Sequence, residues 1–404
     1  MTSYRNKDQR PPIMAGTPPA LEWRVPRDNW DRAPWNRWSF QNISKILPTA
    51  PIRRSAGPLV WDTDLQDLTG LSFAGSDSQP TTFGDLLDGY VDGLLVARHG
   101  KIVHESYHNG MSDKTPHLAQ SVSKSVVSTT AGCLIGDGLL DPQAPITTYL
   151  PELGATAWAG ATLQHVLDMT TGVAFVEDYE APDCDIAKLD VASGWRPVPI
   201  DADRAVWPAT IWDQVLSLKA NEADHGARFK YRSIETDVLG LAIARATGQH
   251  LAQVISDRLW APMGAAEDAN LTLDGASTPL ADGGISATLR DFARFGQTML
   301  DNGQAGDRQV IPTAWVDDVR RGDHGRFDNQ SREFMPNGRY RNMFWIRDEN
   351  GPVHISLGIF GQFIYVDPDR GLLVVQLASW PESLSDRRHA DTMRAIDAIA
   401  ARIC

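Results

Sequence analysis

The chain has 404 residues, 42% of them hydrophobic and 22% charged, with 33 Gly and 25 Pro. This composition excludes wholesale disorder and collagen-like repetition and leaves enough apolar sequence for a large core, in two or three domains or in one elaborate enzyme fold. Fifty-one acidic against 38 basic residues give a formal charge of −13, a field that repels phosphate backbones and anionic lipid headgroups and argues against nucleic-acid or membrane-surface partners.

The three cysteines, Cys133, Cys184 and Cys404, are odd in number and lack metal-ligand spacing, so neither a disulfide framework nor a metal site follows from them. The first residues lack the apolar core of a secretory signal, and no stretch approaches the roughly 20 apolar residues of a membrane span. The expectation is a soluble cytoplasmic protein. Eight of the basic residues are lysines, so a lysine inside a chemical motif stands out.

In chain order, residues 1–60 carry Trp23, Trp30, Trp35, Trp38 and many prolines. They predict an extended arm pinned by aromatics, with only about the first 20 residues free of structure. Apolar runs at 94–97 and 102–107 around His99-Gly100-Lys101 predict a β-hairpin. The second run contains His104-Glu105-Ser106-Tyr107-His108, a letter-for-letter match to the zinc-peptidase pattern HExxH. That pattern holds zinc only on a helix, where i and i+4 share a face. On a strand successive side chains point to opposite faces, so a zinc peptidase is the minor alternative, to be judged by the helicity of 104–108 and by chelation.

Next comes Ser121-Val122-Ser123-Lys124, a S-x-x-K arrangement found at no other lysine of the chain. A serine hydroxyl is a weak nucleophile until a base takes its proton. A lysine one helical turn on lies on the same face and serves as that base if burial or neighbouring positive charge lowers its pKa. The small and apolar residues that follow suit a buried helix whose N-terminus favours a developing oxyanion. The plainer readings are Ser121 as a helix N-cap, Lys124 as a solvated lysine, and Ser123 as a helper or packing residue.

Helical segments are predicted near 122–135, 162–170, 209–219, 234–247, 250–260 and 289–301. Tyr231-Arg232-Ser233 opens the fourth. There a phenol can relay a proton to a leaving group, or Tyr231 is simply a half-buried aromatic with Ser233 capping the helix. Ser356-Leu357-Gly358-Ile359-Phe360-Gly361-Gln362 enters a strand where glycine permits close approach and a backbone N–H can complete an oxyanion hole, or where the sheet merely bulges. Residues 362–366 and 372–377 flank Asp367-Pro-Asp-Arg-Gly371 as a second hairpin. Leu384, Met393, Ile396, Ile399 and Ile403 mark a C-terminal amphipathic helix. The fold class is therefore α+β: an antiparallel sheet from both chain ends flanked by helices, a helical lobe inserted, and a cleft between them. Neither a G-x-S-x-G elbow, a P-loop nor a G-x-G-x-x-G fingerprint is present, which leaves α/β-hydrolase and nucleotide chemistry without support.

The order S-x-x-K, Tyr-x-Ser, Gly-rich strand resembles the serine β-lactamase and penicillin-binding superfamily. Further segments sharpen this: Asp141-Pro-Gln-Ala-Pro145, Tyr149-Leu-Pro-Glu-Leu153, Glu177-Asp-Tyr179, Gly194-Trp-Arg196, Asp282-Gly-Gly-Ile-Ser286 and Ser379-Trp-Pro381. Residues 30–381 are similar to the 6-aminohexanoate-dimer hydrolases, the nylon-oligomer hydrolases related to β-lactamase-like carboxylesterases. The resemblance implies a β-lactamase/transpeptidase-like fold, with residues 1–60 as an arm and 61–404 as one catalytic unit. Its α/β lobe would comprise about 61–120 and 283–404, its helical lobe about 121–282. It implies a serine hydrolase of small linear amides or short esters, without cofactor or metal, and admits a homodimer.

By the resemblance Ser121 is the nucleophile, Lys124 its base and Tyr231 the proton relay, with the N–H groups of Ser121 and Ile359 as oxyanion hole. Tyr179 and Trp195 would line a mobile substrate-covering segment, Tyr179 donating to the scissile amide. Asp190 would bind a substrate ammonium or else be a solvated loop acid, with Asp282, Ser233 and Gly358 as further substrate contacts. Ser356-Leu357-Gly358 stands where penicillin-recognising relatives carry K-T-G, and Tyr-x-Ser stands for Tyr-x-Asn. Both changes lower the expectation of β-lactamase or peptidase activity. A receptor that binds without turnover, and a D-aminopeptidase, are the remaining alternatives.

Overall fold

The first expected hairpin forms, because its apolar runs can bury both faces of a central strand pair. A computed structural model, describing residues 3–321, 327 and 329–404, places it in an eight-stranded sheet: β1 Asp62–Thr63, β2 Val91–Arg98, β3 Lys101–Tyr107, β4 Arg339–Arg341, β5 Phe344–Ile346, β6 His354–Gly358, β7 Gln362–Asp367 and β8 Leu372–Ala378. The spatial order is β4-β5-β6-β7-β8-β2-β3-β1. The second hairpin, β7–β8, pairs antiparallel with β2, Leu372 opposite Arg98, so the two chain ends share one sheet. The edge strand β1 alone runs parallel to its neighbour. The β4–β5 hairpin went unread because three-residue strands are too short for a period of two to register.

Five helices matter to the site: α1 Val122–Gly136, α2 Asp185–Ala192, α3 Ile234–Thr247, α4 Leu289–Leu300 and α5 Asp386–Ile403. Helix α1 is buried on every side, as its run of Val, Ser, Thr and Ala without an apolar stripe requires. Gly132 lets it meet Trp315, whose ring would lie 2.3 Å from an added Cβ. Helices α4 and α5 cover the sheet with their apolar faces, α4 through Phe292 and Phe295 and α5 through Ile396 and Ile399. The fourth predicted helix matches α3, while that expected over 162–170 shrinks to Leu163–Leu167, since Met169 turns the chain with a φ of 53°. The segment 250–260 is α-helical only to Ile255 and continues as a π-turn.

A second, four-stranded sheet, Thr49–Ile52, Ala269–Thr272, Ile285–Ala287 and His117–Leu118 in spatial order, was not foreseen. It ties the arm to the segments on either side of Ser121. Within the arm Trp30 and Trp35 are buried as expected. The leader is less free than composition suggests: the Asn6 amide donates to the carbonyls of Leu87 (2.5 Å) and Val91 (2.6 Å). Residues 104–107 are strand, not helix. His104 packs on Phe83 at 5.2 Å, while Glu105 pairs bidentately with Arg290 at 2.7 Å. Among the described residues no helix is long and apolar enough to cross a membrane.

Candidate active site

The chain leaves the His117–Leu118 strand, turns at Gln120 with a φ of 51° and enters α1 at Ser121. A side chain in the left-handed region is sterically costly and marks a turn held by its surroundings. Ser121 occupies the N-cap position, but its hydroxyl makes no capping bond. Instead it accepts a hydrogen bond from Lys124 Nζ at 2.8 Å. Lys124 is buried and donates a second bond to the Asp282 carbonyl at 2.9 Å, with Asp282 Oδ2 at 3.5 Å. Neither plain reading, cap or solvated lysine, survives. Ser123 is a helper: its hydroxyl accepts the Ile285 N–H at 3.1 Å and fixes the strand leading from Asp282.

Tyr231 completes the group. Its phenol interacts electrostatically with Ser121 and Lys124, its ring stacks on Trp345 at 5.6 Å and 22°, and Lys124 Nζ lies 5.2 Å from its centroid. The buried guanidinium of Arg232 holds the segment in place, with Glu222 at 2.7 Å and Glu235 at 3.2 Å. Ser233 does not cap α3. Its hydroxyl and N–H both donate to Glu177 at 2.6 Å, and the Tyr179 hydroxyl donates to the same carboxylate at 2.6 Å. The part Glu177 plays is not legible in the sequence, because nothing local says that a carboxylate 56 positions before Ser233 will receive its hydroxyl.

The electrostatics depart from the condition set for a lysine base. Burial pulls the Lys124 ammonium down, but Tyr231, Asp282 and Glu177 outweigh it and hold the group above its ordinary value. At rest Lys124 is an ammonium. Burial also pushes Glu177 and Tyr231 up, against the opposing pull of Lys124.

Gly358 ends β6 against the chain before Ser121: an added Cβ would stand 2.6 Å from the Ala119 carbonyl. Close approach, not a bulge, explains this glycine. It carries Ile359 to the rim shared with Ser121, where the Phe360 N–H donates to the Ser383 carbonyl at 2.9 Å. Among the described residues neither the Ser121 nor the Ile359 backbone N–H has an acceptor. Two such donors beside a nucleophile suit a developing oxyanion. Ser356 is buried behind the strand and Leu357 lines the cleft, so β6 offers no cation where K-T-G would supply one.

Of the expected substrate contacts Tyr179, Asp190, Trp195, Asp282 and Ser233 reach a cavity of about 630 Å³ that also includes Gln120, Ser121 and Ile359, whereas Gly358 lines a separate one beside it. Asp190 is half-buried and paired. It sits on α2, 3.1 Å from Arg196, which is also paired with Asp31 at 2.7 Å. Burial pushes the Asp190 carboxyl up to about 7, Arg196 opposing. Trp195 is clamped: its carbonyl accepts Trp30 Nε1 at 2.7 Å and its own Nε1 donates to Thr272 at 3.1 Å. Arg32 of the arm holds the Tyr179 carbonyl at 2.9 Å. Gln120, unremarked in the sequence, presents a buried amide nitrogen without a partner among the described residues.

A β-lactamase family profile matches residues 82–398. The chain is 34% identical to the 6-aminohexanoate-dimer hydrolase of Paenarthrobacter ureafaciens over 384 residues, 92% of this chain and 94% of that protein. It is 28% identical to esterase EstB of Burkholderia gladioli over 183 residues, 42% and 44% of the two chains. A solved Bacillus anthracis protein assigned to the 6-aminohexanoate-dimer hydrolases superposes with a TM-score of 0.85 at 27% identity, over 95% of this chain and 98% of that one.

Proposed function

The chain belongs to the β-lactamase family and is a serine hydrolase, and from that premise we propose that it cleaves small linear amides of the 6-aminohexanoate type and short carboxyl esters through an acyl-enzyme on Ser121. The observation that carries this reading is the 2.8 Å contact of Lys124 Nζ with Ser121 Oγ, with the Tyr231 ring centroid 5.2 Å from the same Nζ. The Ser121 oxygen attacks the carbonyl carbon, and its proton passes to the Lys124–Tyr231 pair. The oxyanion lies at the Ser121 and Ile359 N–H groups. The C–N or C–O bond then breaks, and the departing amine or alcohol takes its proton from Tyr231. Water attacks the acyl-enzyme, and the same groups return the proton to Ser121.

With Lys124 an ammonium at rest, the pair must first lose one proton. A neutral lysine beside a phenol and an ammonium beside a phenolate are the same charge state, so the relevant pKa belongs to the pair. Asp190 and Asp282 supply the negative field for a substrate ammonium, and the Asp190–Arg196 contact tempers it. What the relatives' names say they act on, a linear amide dimer in one and esters in the other, supports this substrate class, as does the missing cation on β6.

The test is labelling with an activated phosphonate together with turnover of 6-aminohexanoate dimer, a short acyl ester and a chromogenic cephalosporin. The expected result is one adduct on Ser121 and hydrolysis of dimer or ester, both lost in Ser121→Ala. Full activity in Ser121→Ala refutes the reading, and a Ser121 adduct without turnover of any substrate favours the non-catalytic receptor.

A further inference from the structure

Two cavities meet at Ser121, and their chemistry differs. The larger contains Asp31, Asp190, Asp282 and Arg196. The second, about 410 Å³, is walled by Phe229, Tyr231, Phe334, Trp345, Phe363 and His389. Ser121, Tyr179, Ile359 and Ser383 line both. A substrate laid across Ser121 therefore sends its acyl half into one and its leaving half into the other.

Tyr231 decides which is which. A group that protonates a leaving atom has to touch it, and Tyr231 lines the aromatic cavity but not the acidic one. We propose that the aromatic cavity is a leaving-group subsite, selective for esters and amides whose alcohol or amine half is uncharged and aromatic. This inference rests on the acyl-enzyme reading above.

The walls fit such a half. Trp345 stacks on Tyr231, Phe334 meets Trp345 edge-on at 5.5 Å, and His389 packs against Phe334 at 4.7 Å and Phe363 at 5.3 Å. Offset and edge contacts at these spacings are those a further ring adopts. The cavity's described basic groups offer little to an anion. Lys230 is engaged with Glu222 at 2.8 Å, and burial pulls His389 down to about 4, leaving it neutral at pH 7. The carboxylate that ends a 6-aminohexanoate leaving half finds no unpaired cation here among the described residues, whereas a phenyl ring finds aromatic faces on several sides.

The experiment compares the ethyl and 2-phenylethyl esters of 6-aminohexanoic acid, alcohols of similar leaving ability, and adds ethyl 3-phenylpropanoate as the mirror probe. The expected kcat/KM ratio of 2-phenylethyl to ethyl ester is about tenfold or more, from burial of the ring. Phe334→Ala and Trp345→Leu should each bring that ratio to about two. A ratio near one, or a ratio the two variants leave unchanged, overturns the inference. So does a gain confined to ethyl 3-phenylpropanoate, which would seat the acyl half among the aromatics. Failure of the underlying reading looks different: ethyl ester turnover that persists in Ser121→Ala, or is absent from the wild type.

Discussion

Asp282→Asn tests the electrostatic account of Lys124 directly. The substitution keeps the side chain's size and leaves the backbone carbonyl that accepts Lys124 Nζ in place. It removes one negative charge 3.5 Å from the ammonium. At that distance a charge pair is worth about 5 kcal/mol at an effective dielectric of ~20 and about 1 kcal/mol in water. Dividing by 1.36 kcal/mol per pK unit brackets the shift between roughly 1 and 4 units. The sign follows from the charge: losing an anion beside a cation lowers the pKa of the Lys124–Tyr231 pair, so its deprotonated, active form appears at lower pH. The assay is kcat/KM against pH from 6 to 10.5 with an uncharged ester, which removes any part Asp282 plays in holding a substrate ammonium. The rising limb should move toward lower pH by about 1 to 4 units. A limb that stays put, moves upward, or loses height without moving refutes the reasoning.

Three further outcomes are expected. Asp190, pushed up to about 7, takes a proton as pH falls through that value, so KM for the 6-aminohexanoate dimer should rise below about pH 7 while KM for an uncharged ester stays flat. Asp190→Asn should remove that dependence and raise the dimer's KM several-fold at pH 8, and equal effects on dimer and ester would end the assignment. Asp31→Asn frees Arg196 from its 2.7 Å partner to neutralise Asp190 more fully. The dimer's KM should rise about threefold, some 0.6 kcal/mol for a partly exposed ion pair, with kcat unchanged, as steady-state kinetics would report. Gly358→Ala drives a Cβ to 2.6 Å from the Ala119 carbonyl and displaces the Ile359 N–H. kcat should fall about 100-fold or more, as for loss of one oxyanion donor, with thermal unfolding measured alongside to separate misplacement from unfolding.

What the sequence reveals about this site follows the distance over which each interaction acts. Ser121 and Lys124 are legible because their contact is one helical turn long, and helix α1 declares itself by composition. Gly358 is legible as a glycine, while its reason, the Ala119 carbonyl, is tertiary and 239 positions away. Tyr231 needed the resemblance, since a Tyr-x-Ser before a helix is equally a buried aromatic and a cap. The partners of the polar groups were not legible at all. The Ser233 hydroxyl goes to Glu177 rather than to α3, and Asp190 meets an arginine whose other partner belongs to the arm. No periodicity encodes such pairings, and an isolated Asp or Glu reads as solvated until the fold shows what buries it. The acidic surroundings of Lys124 were missed for the same reason: Glu177, Tyr231 and Asp282 are distant in sequence and converge only in space.

The arm changes standing once those partners are known. Its composition marks it as an accessory arm, yet four of its residues hold segments that line the cavity shared with Ser121. Arg27 donates to the Gly194 carbonyl at 2.9 Å, Trp30 to that of Trp195, Arg32 to that of Tyr179, and Asp31 pairs with Arg196. Three of these contacts end on backbone carbonyls, so they fix the path of the chain at Tyr179, Gly194 and Trp195 whatever side chains it carries. The fourth sets the charge beside Asp190. A cavity wall placed through such contacts costs less ordering when a ligand enters, because its freedom is already spent on folding. One of the tryptophans that distinguish residues 1–60 from a disordered leader thus supports the cleft: Trp30 meets Trp195 edge-on at 5.1 Å, and Trp195 lines the cavity that Ser121 also lines.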